Sequence, residues 1–151
     1  MHDEDIDDHD RKLLSDVETH GWHVVGVTAD ADGPAYAFSV GLEHTLGHPE
    51  ACVFGLPQDL AADVINEVGD RARAGRPVPL GQNCEGFLEG FPVRFQHIPA
   101  KYYRDFFGYG LWFYRGDEFR VLQCVWPDKS GRWPWEPEFN PHWKPQQPLL
   151  T

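Results

Sequence analysis

Hydrophobic positions along the chain switch between helical and strand spacing. Residues 5–19 carry apolar side chains three, four and seven positions apart, which predicts an amphipathic helix that ends at Gly21. The clearest helical stripe runs over residues 58–74, directly after Pro57. We therefore expect two main helices and a shorter third helix at 100–107.

The stretches between the helices are rich in β-branched and aromatic residues, which favour strands. Two of them flank a polar turn and predict a hairpin, and the last one is apolar on both faces, which favours the centre of a sheet. Glycines at 108 and 110 weaken any long helix through the ring-rich residues 106–114. The expected strands are 22–29, 35–41, 51–55, 86–90, 91–98 and 119–126.

This order of elements predicts one α+β domain over residues 1–151, with a mainly antiparallel sheet flanked by two or three helices. Both an open sheet and a small barrel-like sheet fit the order. Four of the six tryptophans and six of the thirteen prolines lie at or beyond Trp126. We expect residues 127–151 to form an extended tail that packs its rings on the domain, and residues 1–4 to be flexible.

The negative net charge of the chain limits the classes of partner that we expect it to bind. The net charge is −11, and six of the first ten residues are acidic, which argues against nucleic-acid binding and against an anionic membrane surface. The start of the chain lacks the basic and apolar regions of a signal peptide, and no apolar run approaches a membrane span. We therefore expect a cytoplasmic protein, and a small-molecule ligand, a protein partner and a homodimer all remain compatible with the sequence.

Three cysteines are widely spaced and form no CxxC pair, which gives no signal for a zinc ribbon or a redox dithiol. Each lies in a largely apolar stretch, without a basic neighbour that would activate the thiol. Cys52, Cys84 and Cys124 are therefore interpreted as buried thiols of a reducing compartment.

Residues 42–50, which we expect to form a polar loop, hold the densest set of reactive side chains. His44 and His48 are four residues apart and are flanked by Glu43 and Glu50, a set that could ligate a divalent metal, bind a small ligand or exchange protons. Gly47 and Pro49 argue against the regular helix that would align the two imidazoles. A purely structural role, with His48 bonded to the backbone, is the competing interpretation.

A second candidate is the polar turn at 126–133, which follows the expected central strand. Arg132 could pair with a carboxylate or phosphate, Trp133 could stack on a planar ligand, and Asp128 lies between them along the chain. A β-turn that packs its tryptophans against the domain would explain the same residues. We also note the rings from Tyr102 to Tyr114, which fit a core better than an aromatic pocket.

Several short motifs give the chain a family resemblance. Taken together they resemble the bacterial domain-of-unknown-function 4262 family, and the resemblance extends over nearly the whole chain after the first helix. It implies a bacterial cytosolic protein and brings no known activity, cofactor or catalytic residue. The motifs are YAFSVGL at 36–42, GHPE at 47–50, VFGLP at 53–57, VLQCVWPD at 121–128, GRWPW at 131–135 and QPLL at 147–150.

Two functional hypotheses follow from these features. The first is a small binding or interaction module with a pocket between the 42–50 and 126–133 segments, because no recognisable catalytic set is present. The second is a small-molecule enzyme that uses either a divalent metal at His44 and His48 or a flavin, because the opening hairpin is similar to the start of flavin-binding split barrels.

Overall fold

The computed structural model describes residues 6–151, so the predicted flexibility of residues 1–4 lies outside it. The described chain contains five α-helices and six strands. They are α1 (Asp8–His20), β1 (His23–Val27), β2 (Tyr36–Val40), α2 (Leu42–Leu46), β3 (Glu50–Phe54), α3 (Gln58–Arg73), β4 (Cys84–Leu88), β5 (Phe91–His97), α4 (Tyr103–Phe106), α5 (Gly108–Tyr114) and β6 (Val121–Val125).

The six strands form one open sheet in the order β1-β2-β3-β6-β5-β4. Every neighbouring pair is antiparallel except β3 and β6, which run parallel with Glu50 opposite Val121. The α+β class and the mainly antiparallel sheet are thus confirmed, while the barrel alternative is wrong because β1 and β4 remain unjoined edges. The apolar strand β6 lies inside the sheet, as its pattern predicts.

Two hydrophobic clusters cover the two faces of the sheet. On one face, α3 packs Val64, Ile65 and Val68 against the strands. On the other face, α1 contributes Leu13 and Val17, and the segment around α4 and α5 contributes rings such as Phe107. The sheet is therefore sandwiched between helices, and all three cysteines are free and buried within it, as predicted.

Local signals set the ends of the main helices. The Asp7 carboxylate accepts the backbone N–H of Asp10, and the backbone N–H of Asp7 donates to the Asp10 carboxylate, which is a capping box that starts α1. Gly21 ends α1 in the left-handed conformation at φ 104°. The predicted helix at 5–19 is therefore confirmed, apart from a start nearer to Asp8.

Two short helices form where the sequence argued against them. Residues 42–46 are helical because the side chain of Glu50 binds the first backbone N–H groups of α2. Residues 108–114 form α5 despite two glycines, and the Phe119 ring packs on this helix at Gly110, where a Cβ would meet it at 2.9 Å. In both cases a tertiary contact outweighs the local pattern.

The tail at 127–151 packs on the domain, in turns and a short 3₁₀ helix at Pro141–Trp143. Gln147 binds the backbone of Trp126 twice, accepting its N–H and donating to its carbonyl, both at 2.9 Å. In the opposite sense, the side chain of Gln123 in β6 binds the backbone of the tail. It donates to Pro148 O at 2.7 Å and accepts Leu150 N–H at 3.0 Å. These two amide side chains hold the tail to the central strand as backbone pairing would.

Gly69 in the middle of α3 tests how tightly this core is packed. A Cβ at Gly69 would lie 2.4–2.7 Å from the indole of Trp22. Alanine favours helix by about 1 kcal/mol, but overpacking a core costs about 1–3 kcal/mol. We expect Gly69→Ala to lower the free energy of unfolding by about 1 kcal/mol, measured by urea denaturation.

Gly108→Ala is the matched control, because no atom lies within 4 Å of a Cβ at that position and α5 begins there. It should leave stability unchanged or raise it slightly. Equal or greater stability of Gly69→Ala relative to the wild type would contradict the packing of Trp22 on α3.

Candidate functional site

The two segments that were expected to share a pocket lie at opposite ends of the sheet. Residues 42–50 lead into β3, whereas residues 126–133 follow β6, and these two strands are parallel. Trp126 donates its indole N–H to Phe54 O at 2.8 Å, which places it at the far end of β3. Five residues of strand separate the two ends by roughly 16 Å. The predicted common pocket is therefore wrong, because β3 and β6 pair in the same direction.

Glu50 is the most constrained polar residue near the first segment, with only 1% of its surface exposed. Its Oε1 accepts Ser39 Oγ–H at 2.7 Å and Leu42 N–H at 3.1 Å. Its Oε2 accepts the N–H groups of Gly41 and Glu43, each at 3.1 Å, and the hydroxyl of Tyr114. Since five donors converge on two oxygens, the carboxylate has no capacity left for a ligand.

Electrostatics around Glu50 reflect this burial. Burial raises the pKa of Glu50 to about 7, and the hydrogen bonds from Tyr114, Ser39 and the backbone limit the rise. Burial and the adjacent carboxylate also raise the pKa of Tyr114 far above its usual range, so the phenol remains a donor. Glu50 therefore serves as the internal anchor of α2 and α5.

Glu43 and Arg120 form an ion pair on the outer side of α2. Arg120 donates to both carboxylate oxygens of Glu43, at 2.9 and 2.7 Å, and also to Gly47 O. The guanidinium hydrogen bonds hold the pKa of Glu43 below its usual value. This pair ties the start of β6 to α2 and leaves Glu43 engaged.

The two histidines of the predicted metal site do not face a common position. His48 is buried and uses both ring nitrogens: Nδ1–H donates to Pro49 O at 2.7 Å, and Nε2 accepts Val78 N–H at 3.4 Å. His44 is exposed, and its ring packs edge-on against Phe113. In residues 6–151 no three His, Cys, Asp or Glu side chains group closely enough to hold a metal ion. The geometry thus supports the structural interpretation of His48.

Side chains of the second segment organise the tail. The Asp128 carboxylate accepts N–H groups from Ser130, Arg132 and Asn140, each at 2.9 Å. Arg132 reaches Glu138 O at 3.4 Å. These bonds form the turn that the sequence allowed as the alternative interpretation.

Trp133 is buried and lies parallel to Trp135, with ring centroids 5.3 Å apart. The guanidinium of Arg94 lies 4.8 Å from the centroid of Trp133 and 5.6 Å from that of Trp135. The ring of Trp133 therefore packs against the side chains of Trp135 and Arg94. Trp135 remains 47% exposed.

Each end of the sheet instead borders its own hollow. A cavity of about 410 Å³ lies beside residues 46–49 and is bordered by His97 and Arg120. A larger cleft of about 700 Å³ lies at the carboxyl ends of β3 and β6. Its lining is mainly apolar, from Ala29, Ala35, Gly55, Leu56, Pro57, Leu60, Leu88, Phe91, Trp126, Pro127 and Trp143, with Glu89, Asp128, Lys129 and Gln146 as the polar members.

The apolar lining of this cleft is half-buried, in contrast to the satisfied polar groups at the other end. Leu56, Leu88 and Trp143 pack on the edge of the core and remain partly exposed. Sequence patterns did not identify them, since each belongs to a different element and only the fold brings them together. Four residues of the predicted 126–133 segment line this cleft, namely Trp126, Pro127, Asp128 and Lys129, whereas Arg132 and Trp133 do not.

Fold and site together define a small α+β domain with an open mixed sheet and an apolar cleft at one end. The chain belongs to the DUF4262 family, a domain of unknown function, whose model matches residues 16–140. Comparison with curated proteins and with solved structures gives no match. In the described residues, no helix is both long enough and apolar enough to cross a bilayer.

The buried carboxylate predicts a specific pH dependence of stability. Glu50 has a pKa of about 7 in the folded chain and an ordinary value of 4.5, so the folded state binds more protons between these values. The contribution of this group is complete below pH 4.5 and falls by about 3 kcal/mol as the pH rises through 7. We expect this fall in wild-type unfolding free energy and its absence in Glu50→Gln.

The measurement is denaturant unfolding of both proteins from pH 4.5 to 8, with the difference between them plotted against pH. Glu50→Gln should also be less stable than the wild type at the acid end, because its NH₂ group brings two N–H donors to a site already surrounded by donors, whereas the protonated carboxyl brings one O–H. Glu43→Gln is the control, since that carboxyl is partly exposed and has a lowered pKa. A difference between wild type and Glu50→Gln that does not change with pH would contradict the assignment.

Proposed function

We propose that the protein is a binding module for a small, mainly apolar molecule, held in the cleft at the carboxyl ends of β3 and β6. The observation that carries the proposal is a concave space of about 700 Å³ whose lining is mainly apolar and includes three leucines and three aromatic rings. Ligand sites commonly have volumes of about 300–1,000 Å³ and this type of lining.

The position of the cleft supports the same proposal. Ligands of α/β sheets bind outside the carboxyl ends of parallel strands, and β3 and β6 are the parallel pair of this sheet. Trp126 in the wall of the cleft is fixed in place, because its indole is hydrogen-bonded to Phe54 and its backbone is hydrogen-bonded to Gln147. A pre-formed wall of this kind lowers the ordering cost of binding.

Binding is favoured over catalysis by the state of the polar residues. Among residues 6–151, the buried carboxylates Glu50 and Asp128 have their oxygens occupied by protein donors. The flavin alternative loses its basis, since the sheet is open and the split-barrel likeness does not extend to it. We also propose a bacterial, cytosolic setting, which rests on the family resemblance and on three unpaired buried thiols.

The neutral dye N-phenyl-1-naphthylamine, whose fluorescence rises in apolar surroundings, tests the proposal. We expect saturable binding of one dye per chain. Trp143→Ala should weaken it about fivefold, because an aromatic contact contributes about 1 kcal/mol. Trp135→Ala is the matched control, since Trp135 is an exposed tail tryptophan outside the cleft lining.

A second variant separates loss of the ligand contact from loosening of the tail. Leu60→Gln changes the cleft from the α3 side and leaves the tail intact, so it should also weaken dye binding. Unfolding temperatures of all three variants establish that the domain is folded. The proposal fails if the wild type shows no saturable dye binding, or if Trp135→Ala weakens binding as much as Trp143→Ala.

A further inference from the structure

The charged side chains that line the cleft indicate which sign of charge its ligand would have. Glu89, Asp128 and Lys129 are the charged residues in the lining, so its net charge is −1. The carboxylate of Asp128 accepts three backbone N–H groups, which is the environment of an ionised acid. Glu89 forms no ion pair with any of residues 6–151 and lies exposed at the tip of the β4–β5 hairpin.

Aromatic rings provide the second feature that favours a cation. Trp126 and Trp143 both line the cleft and meet edge to face, with centroids 5.8 Å apart and planes at 77°. Phe91 adds a third ring. Ring faces carry negative electrostatic potential and attract ammonium groups, and tryptophan attracts them most strongly.

We propose that the ligand of this cleft is an organic ammonium compound, with an apolar or aromatic body and a single positive charge near Glu89. The inference rests on the proposed function and specifies the class of ligand. An anionic ligand would have only Lys129 to oppose two carboxylates. The net charge of −11 on the whole chain also favours the approach of cations over anions.

Three indole compounds that differ in their head group test this inference by isothermal titration calorimetry. Tryptamine is cationic, tryptophol is neutral and indole-3-propionate is anionic, while the ring that enters the cleft is the same. We expect tryptamine to bind about fivefold more tightly than tryptophol, and indole-3-propionate to bind most weakly. Added salt should reduce the preference for tryptamine.

Glu89→Gln should remove most of the preference for tryptamine over tryptophol and leave tryptophol binding unchanged. Glu85→Gln is the matched control, because Glu85 is an exposed glutamate of the same hairpin outside the cleft lining. It makes the net charge of the chain less negative by the same one unit as Glu89→Gln does, and it should preserve the preference. A preference that Glu89→Gln does not reduce would overturn the role assigned to Glu89.

The outcomes separate this inference from the proposed function. One outcome is that tryptophol binds and that indole-3-propionate binds as tightly as tryptamine or more tightly. This result would overturn the proposed class of ligand and would leave the proposed binding function intact. Failure of all three indoles to bind at millimolar concentration would also overturn the proposed class of ligand. In that case saturable binding of the neutral naphthylamine dye would show that the cleft still takes an apolar ligand.

Discussion

Burial of the Glu50 carboxylate is the constraint around which one end of the molecule is built. Removing a carboxylate from water is costly unless donors replace the lost hydration. Here those donors come from β2, from the first residues of α2 and from Tyr114 of α5. Because one side chain joins three elements, the hairpin, the short helix and the aromatic segment have a fixed relative position. The same requirement explains why residues 42–46 are helical.

At the opposite end of the sheet, amide side chains join β6 to the tail. Gln147 and Gln123 exchange hydrogen bonds between β6 and the tail, and the tail supplies Trp143 to the wall of the cleft. Amides bond both donors and acceptors of the backbone and carry no charge to compensate. The tail is therefore joined to β6 by neutral side chains, while the buried carboxylate of Asp128 borders the cleft and accepts backbone N–H groups.

The two ends of the sheet therefore differ in the kind of side chain that they contain. The end near α2 contains the carboxylates and histidines that the sequence offered as catalytic or metal-binding candidates. Their polar atoms bind other groups of the protein, as Glu43 binds Arg120 and His48 binds the backbone. The end near Trp126 contains few polar groups and leaves apolar surface partly exposed. Satisfied polar groups stabilise a fold, whereas unfilled apolar surface in a concave site is available for binding, which is why the cleft is the better candidate.

Local patterns in the sequence determined the long helices α1 and α3, the six strands and the central place of β6, because apolar periodicity and caps act over a few residues. Four of the predicted site residues, Glu43, His48, Glu50 and Asp128, bind protein groups through their polar atoms. Nothing in their spacing along the chain distinguishes a ligand-binding residue from one with internal partners. Only the tertiary structure decided that β3 and β6 run parallel, which separates residues 42–50 from 126–133. It also brought Leu56, Leu88 and Trp143 to one cleft, since strand pairing and tail docking join residues that are far apart along the chain.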